Sequence, residues 1–87
     1  MNASRNGVNF AILPSQVRAA RALLDWSGEQ LSSACGVPAR TLHRFERGEG
    51  EPQRRTVEAI RRALEAAGIE FTNGNAPGVR LVGAGNP

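Results

Sequence analysis

The chain contains no lysine. All 11 of its basic residues are arginine, set against 8 acidic ones, for a formal net charge of +3 over 87 residues. A guanidinium forks onto phosphate oxygens and guanine edges with fixed geometry, whereas an ammonium is a mobile point charge. GC-rich coding is the competing source of such a bias. Cysteine occurs once, as Cys35, which excludes an internal disulfide and fits a reducing compartment. Histidine also occurs once, as His43. One cysteine and one histidine fall short of the ligands a zinc site needs, so no metal is expected. The same scarcity leaves no Ser/His/Asp set to assemble, and no glycine-rich phosphate loop follows a strand. A chain of this length buries one small core, with little room for a closed pocket. No catalytic residue and no cofactor are expected, and binding rather than enzyme chemistry is the reading. No apolar run reaches the length that spans a bilayer, and the first residues lack the basic-then-apolar order of a secretion signal. The expected location is the cytoplasm, away from membranes.

What the chain does have is concentrated between Ser27 and Gly48, SGEQLSSACGVPARTLHRFERG, which reads as two short helices joined by a tight turn. Ser27 and Gln30 have the spacing of a capping box, and Trp26 with Leu31 that of a hydrophobic staple. Gly36 follows Cys35 where the first of these helices must stop, since glycine accepts the left-handed conformation of many helix ends. Pro38 presets the backbone for the first turn of the next helix. Within that helix only Leu42 and Phe45 are large and apolar, three apart, so one narrow stripe turns inward. Arg40, His43, Arg44 and Arg47 are left on the open side. A helix so short and so basic is poorly explained by its own stability. It is suited to presentation to an anion.

Around this pair the chain divides into four stretches. Residues 1–14 lack a sustained period and read as a flexible arm, with Phe10, Ile12 and Leu13 tucking onto the domain. Residues 15–68 read as a helical domain. Ser15 caps its first helix, in which Val17, Ala20 and Leu24 share a face. Arg21 falls on that same inward face and therefore requires a partner. After Gly48 comes the acidic connector Glu49-Gly50-Glu51-Pro52, then a helix whose inner face carries Val57, Ile60, Leu64 and Ala67. Its outer face pairs Glu58 with Arg62 and Arg61 with Glu65 at a spacing of four. Residues 69–82 alternate and read as a β-hairpin, in which one register sets Phe71 against Val79, Glu70 against Arg80 and Ile69 against Leu81. Such a hairpin is marginal alone and must lean on the helices or on a second copy of the chain. Residues 83–87 read as a frayed tail.

With the helices placed, the chain resembles the phage-repressor and Cro class of helix-turn-helix proteins, the XRE-like family, over roughly Ser15 to Ala67. The resemblance is carried by Gln30-Leu31, Ala34, Gly36-Val37, Leu42 and Glu46-Arg47-Gly48 in that order and spacing. It implies a mainly α fold, a four-to-five-helix lambda-repressor-like domain, to which the short C-terminal hairpin is an addition. It also implies that the inward Arg21 meets Glu46 in a structural salt bridge. In this family the first residues of the second helix of the motif meet base edges in the major groove. The base-reading positions implied here are Ala39, Arg40, Thr41, His43 and Arg44. Ala39 offers only a methyl contact, while Arg40 and Arg44 are the guanine readers, each worth about 1–3 kcal/mol of discrimination. Phosphate contacts fall to Arg18, Ser27, Gly28, Arg47 and Arg54. Gly28 stands where relatives often carry a DNA-touching glutamine, so its contribution is a backbone amide at a helix N-terminus.

The function these residues imply is sequence-specific binding of double-stranded DNA by a transcriptional regulator, most simply a repressor holding a palindromic operator as a homodimer. The apolar hairpin positions Ile69, Phe71, Val79 and Leu81 are the expected dimer interface. Two other readings compete with it. One is an antitoxin or anti-activator acting through a protein partner, and the other is a transcriptional activator that touches polymerase through Glu49 and Glu51.

Overall fold

The computed structural model describes residues 12–73 and 76–82. Residues 1–11 of the expected arm (1–14), Phe10 among them, residues 74–75 of the expected hairpin and the expected tail at 83–87 lie outside the described residues. Helix α1 spans Pro14–Leu24, so Pro14 and not Ser15 opens it. Proline is preset for a first helical position and its missing amide hydrogen leaves no orphan donor there. The Leu13 amide instead donates to Gln16 Oε1 at 2.8 Å. Val17 and Ala20 face the core, and the helix ends at Asp25, whose φ of 58° is left-handed. Aspartate tolerates that region better than most side chains.

Helix α2 (Gly28–Cys35) begins with the reciprocal cap expected from its spacing. The Gln30 amide donates to Ser27 Oγ at 3.1 Å, and the Ser27 amide donates to Gln30 Oε1 at 2.7 Å. It stops at Gly36, φ 77°, a conformation that would strain a Cβ-bearing residue. The Ser32 hydroxyl then donates to Val37 O at 2.6 Å and ties the turn back to α2. Helix α3 (Ala39–Glu46) follows directly, with Pro38 at its N-cap, one position ahead of the first helical residue. Helix α4 (Arg54–Ala66) buries Val57, Ile60 and Leu64, and its outer pairs stand at 4.0 Å for Glu58–Arg62 and 3.9 Å for Arg61–Glu65.

Strands β1 (Ile69–Thr72) and β2 (Gly78–Leu81) pair antiparallel in the expected register, Phe71 to Val79 and Ile69 to Leu81. Arg80 meets Glu70 across the strands at 2.6 Å. Among the described residues, four helices plus this hairpin make a mainly α domain whose largest fully buried side chains are Val17, Leu31, Leu42, Ile60 and Leu64. Ile12 is buried with them, while Leu13 is exposed. The hairpin leans on its own helices. The buried Gln16 side chain donates to both Thr72 O and Gly78 O at 3.0 Å. Ile69 is buried in the core, and Phe71 and Val79 pack against it. Of the expected interface residues Ile69, Phe71, Val79 and Leu81, Ile69 is thus buried by the chain's own helices, and Phe71 and Val79 are half-buried. Leu81 alone of the four is exposed, with Val82 beside it. Among the described residues no helix is long and apolar enough to cross a membrane.

Candidate nucleic-acid interface

Helix α3 divides sharply into two faces. Leu42, Phe45 and Glu46 are buried; Arg40, Thr41, His43, Arg44 and Arg47 are exposed, and Ala39 is half-buried at the start. Since residues three and four apart share a helical face, Arg40 and Arg44 lie in one row and His43 and Arg47 in the next.

A short helix keeps such an orientation only if it is braced. Arg21 of α1 supplies the main brace, its Nε and Nη2 each donating to a Glu46 carboxylate oxygen at 2.8 Å. The Glu46 side chain is 7% exposed and that of Arg21 is 23% exposed, so this is a largely desolvated bidentate pair. The hydrogen bonds it donates to Glu46 hold the Arg21 guanidinium above its ordinary value against the opposing effect of burial. Arg21 Nη1 also donates to Trp26 O at 3.0 Å, which fixes the chain as it enters α2. Arg18, expected at a phosphate, donates through Nη1 to the Glu46 carbonyl and so satisfies the C-terminal end of α3. It remains exposed and shares an open groove with Arg21, His43, Glu46, Arg47 and Glu49.

The structure also explains Gly28. A Cβ built there would stand 2.9 Å from His43 Nε2, so glycine leaves the space that the imidazole occupies. The N-terminus of α2 therefore lies directly beside the exposed face of α3. The capping box uses the Ser27 and Gln30 amides, leaving those of Gly28 and Glu29 directed out of the helix end. Ser27, Gly28 and His43 are thus brought together.

On the other side of α3 lie residues that sequence reasoning did not single out. Thr41 and Arg44 line a second groove with Gln53 and Thr56, whose polar groups were hidden in what reads as a helix start. Arg54 is exposed at the first position of α4. Glu49, expected in the acidic connector and, in the activator reading, against polymerase, holds two arginines of the site with its carboxylate. Arg47 donates from Nε at 2.9 Å and from Nη2 at 3.4 Å, and Arg44 Nε stands 3.9 Å away. The Arg47 hydrogen bond, with the charges of Arg47 and more weakly Arg44, holds the Glu49 carboxyl below its ordinary range. The Arg44 guanidinium folds against the connector, since its Nη2 is 3.0 Å from the place a Cβ on Gly50 would take. Arg40, by contrast, is exposed and makes no ion pair with any described residue. Cys35 is half-buried and burial pushes its thiol up, as befits an unreactive filler.

Two helices joined by a glycine turn, the second braced from behind and exposed in front, define a helix-turn-helix domain, the class that places a helix in the DNA major groove. The family model described as a helix-turn-helix domain matches residues 13–72, and the chain belongs to that family. None of the curated proteins matches the chain.

Proposed function

We propose that this protein is a sequence-specific regulator of transcription, of the phage-repressor and Cro type, that reads double-stranded DNA with α3. It acts most simply as a cytoplasmic repressor, a homodimer on a palindromic operator. The observation that carries this reading is the division of α3, with Leu42 and Phe45 buried, Glu46 clamped by Arg21, and Arg40, Thr41, His43 and Arg44 exposed together. A helix so held presents its first turns to the groove. Arg40 and Arg44 carry the fork geometry for guanine O6 and N7, Ala39 suits a thymine methyl, and Thr41 and His43 flank them. The amides at Ser27–Gly28 and the guanidiniums of Arg18, Arg47 and Arg54 surround this face as phosphate contacts, which position without reading.

A single domain of this size covers one half-site, and pairing two copies doubles the base contacts at a spacing of about one helical turn. The exposed Leu81 and Val82 at the end of β2 and the open strand edges are the surface we assign to that pairing. Residues 15–68 constitute the reading domain in this account, and 69–82 serve both as its brace and as the dimer contact.

Selection of bound duplexes from a random pool tests the reading, with an inverted repeat about one turn apart as the expected result. In an NMR titration with the selected duplex, the amide signals of residues 39–47 should move most; if they stay still, α3 is not the reading element. Analytical ultracentrifugation of the chain with Leu81→Glu should show a lighter species than the wild type.

A further inference from the structure

Arg44 and Arg47 lie on the face of α3 that meets DNA in the reading above, and the inference here rests on that reading. Both are already turned toward a carboxylate. Glu49 Oε2 accepts from Arg47 Nε at 2.9 Å, and Glu49 Oε1 lies 3.4 Å from Arg47 Nη2 and 3.9 Å from Arg44 Nε. Two oxygens carrying one negative charge, presented to a guanidinium fork, are the arrangement a DNA phosphate offers. The acid is not on a loose loop. Gly48 takes φ 74° and its amide donates to Phe45 O at 2.9 Å, while the Glu49 amide donates to Arg44 O at 2.9 Å. The backbone therefore folds the connector back against the end of α3 and delivers the carboxylate to the two arginines. Gly50 at φ 68° continues the fold, and the Arg44 guanidinium lies against it. Glu51, two residues further on, is equally exposed and makes no ion pair with any described residue. The acid at 49 is thus distinguished by its placement.

We propose that Glu49 is a built-in competitor for DNA phosphate, holding Arg44 and Arg47 on the connector and so limiting sequence-independent binding. Binding to an arbitrary duplex is almost wholly phosphate neutralisation. A cation already matched to a carboxylate gains little by exchanging it for a phosphate. Arg40, with no ion pair among the described residues, needs no such exchange. The device lowers background affinity while leaving Arg40, in the first turn of α3, ready to meet a base; of the two guanine readers only Arg44 must first leave the connector.

The test uses the full chain, Glu49→Gln and Glu51→Gln, each with one duplex of arbitrary sequence, followed by fluorescence anisotropy across a salt series. Glu49→Gln should bind roughly three- to tenfold tighter at low salt, with the slope of log K against log salt steeper by about 0.9 per phosphate gained. Glu51→Gln makes the same change in net charge on the same connector and should shift affinity by less than about twofold with the slope unchanged. Adding Arg47→Ala to Glu49→Gln should return the slope toward the wild-type value. Equal shifts for the two glutamine variants would reduce the effect to bulk charge and overturn the proposal, as would an unchanged slope for Glu49→Gln. A wild-type chain that binds no duplex at any salt would take down the DNA-binding reading along with this one, an outcome distinct from the first two.

Discussion

Replacing Arg21 by alanine would strand the Glu46 carboxylate. That carboxylate is 7% exposed and receives two hydrogen bonds of 2.8 Å from a single guanidinium. Breaking a fully buried pair by removing one partner costs about 3–5 kcal/mol, mostly the penalty of an uncompensated charge. Arg21 is 23% exposed, so water reaches one side of the pair and a smaller cost than for a fully buried pair, about 2–3 kcal/mol, applies. The bond from Arg21 Nη1 to Trp26 O is lost as well, adding about 0.5–1.5 kcal/mol. An 87-residue domain has a total stability of roughly 4–13 kcal/mol, so the substitution should remove a large part of it. Trp26 is the only tryptophan and lies at the site, so urea unfolding followed by its fluorescence reports the change directly. The double variant Arg21→Ala/Glu46→Ala isolates the cause, because it removes the stranded charge together with the cation. The contact from Arg18 goes to the Glu46 backbone carbonyl and survives in both. The double variant should therefore be more stable than Arg21→Ala alone. A loss under about 1 kcal/mol for Arg21→Ala, or a double variant no better than the single one, would refute the view that desolvation makes this pair matter.

Gln16→Ala removes three hydrogen bonds, leaves the Thr72 and Gly78 carbonyls without this donor, and should cost about 1–3 kcal/mol, with hydrogen exchange speeding first in the hairpin. Gly28→Gln should leave stability within about 1 kcal/mol, because the atom in the way is the far end of a flexible ring, yet it should displace the His43 imidazole, visible as shifted ring signals by NMR. The Glu49 carboxyl, titrated by NMR, should show a midpoint below the ordinary glutamate range, and Arg47→Ala should bring it back up. Because its value in the fold is depressed, the pair stays intact at neutral pH and is lost only as pH falls through that lowered midpoint. Arg40→Ala should erase preference at one base pair, worth about 1–3 kcal/mol, while Arg44→Ala should lose less, since Arg44 must first leave Glu49; equal losses in a selection experiment would count against the parking of Arg44.

Much of this arrangement can be read along the chain because local chemistry determines it. Ser27 and Gln30 cap each other across three residues, and Gly36 turns where only glycine turns cheaply. The hairpin register follows from its own alternation, since only one pairing puts Glu70 opposite Arg80 and keeps the apolar residues together. Arg21 announces its partner by being charged on an apolar face. The misreadings are of another kind. Ser15 is a good cap, but the proline before it is a good first helical residue, and with Pro14 there the cap falls on Leu13, two positions earlier. Gln16 looks like surface, because glutamine is at home anywhere in a helix; its burial depends on a hairpin more than fifty residues away in the chain. The apolar face of the hairpin could have met either its own helices or a second copy, and alternation cannot distinguish the two. Glu49 was visible as an acid, but its direction is set by the left-handed Gly48 between it and Arg47.

The braces on α3 are unevenly placed, and the unevenness has a physical consequence. Eight residues do not hold a helix in water unaided. The long-range polar ties converge on its last turn: Arg21 on the Glu46 side chain and Arg18 on the Glu46 carbonyl, with Glu49 holding Arg47 and approaching Arg44 just beyond. The first turn has no side-chain cap, only the preset backbone of Pro38, and carries Arg40 and Thr41 exposed. Cations near a helix C-terminus are favourable to the dipole whether or not DNA is present, so positive charge there serves stability as well as binding. A cation at Arg40, in the first turn, is on the wrong side of the same dipole. Its placement is therefore poorly explained by the stability of α3, and well explained by an anionic or acceptor-rich surface that meets the helix at that end.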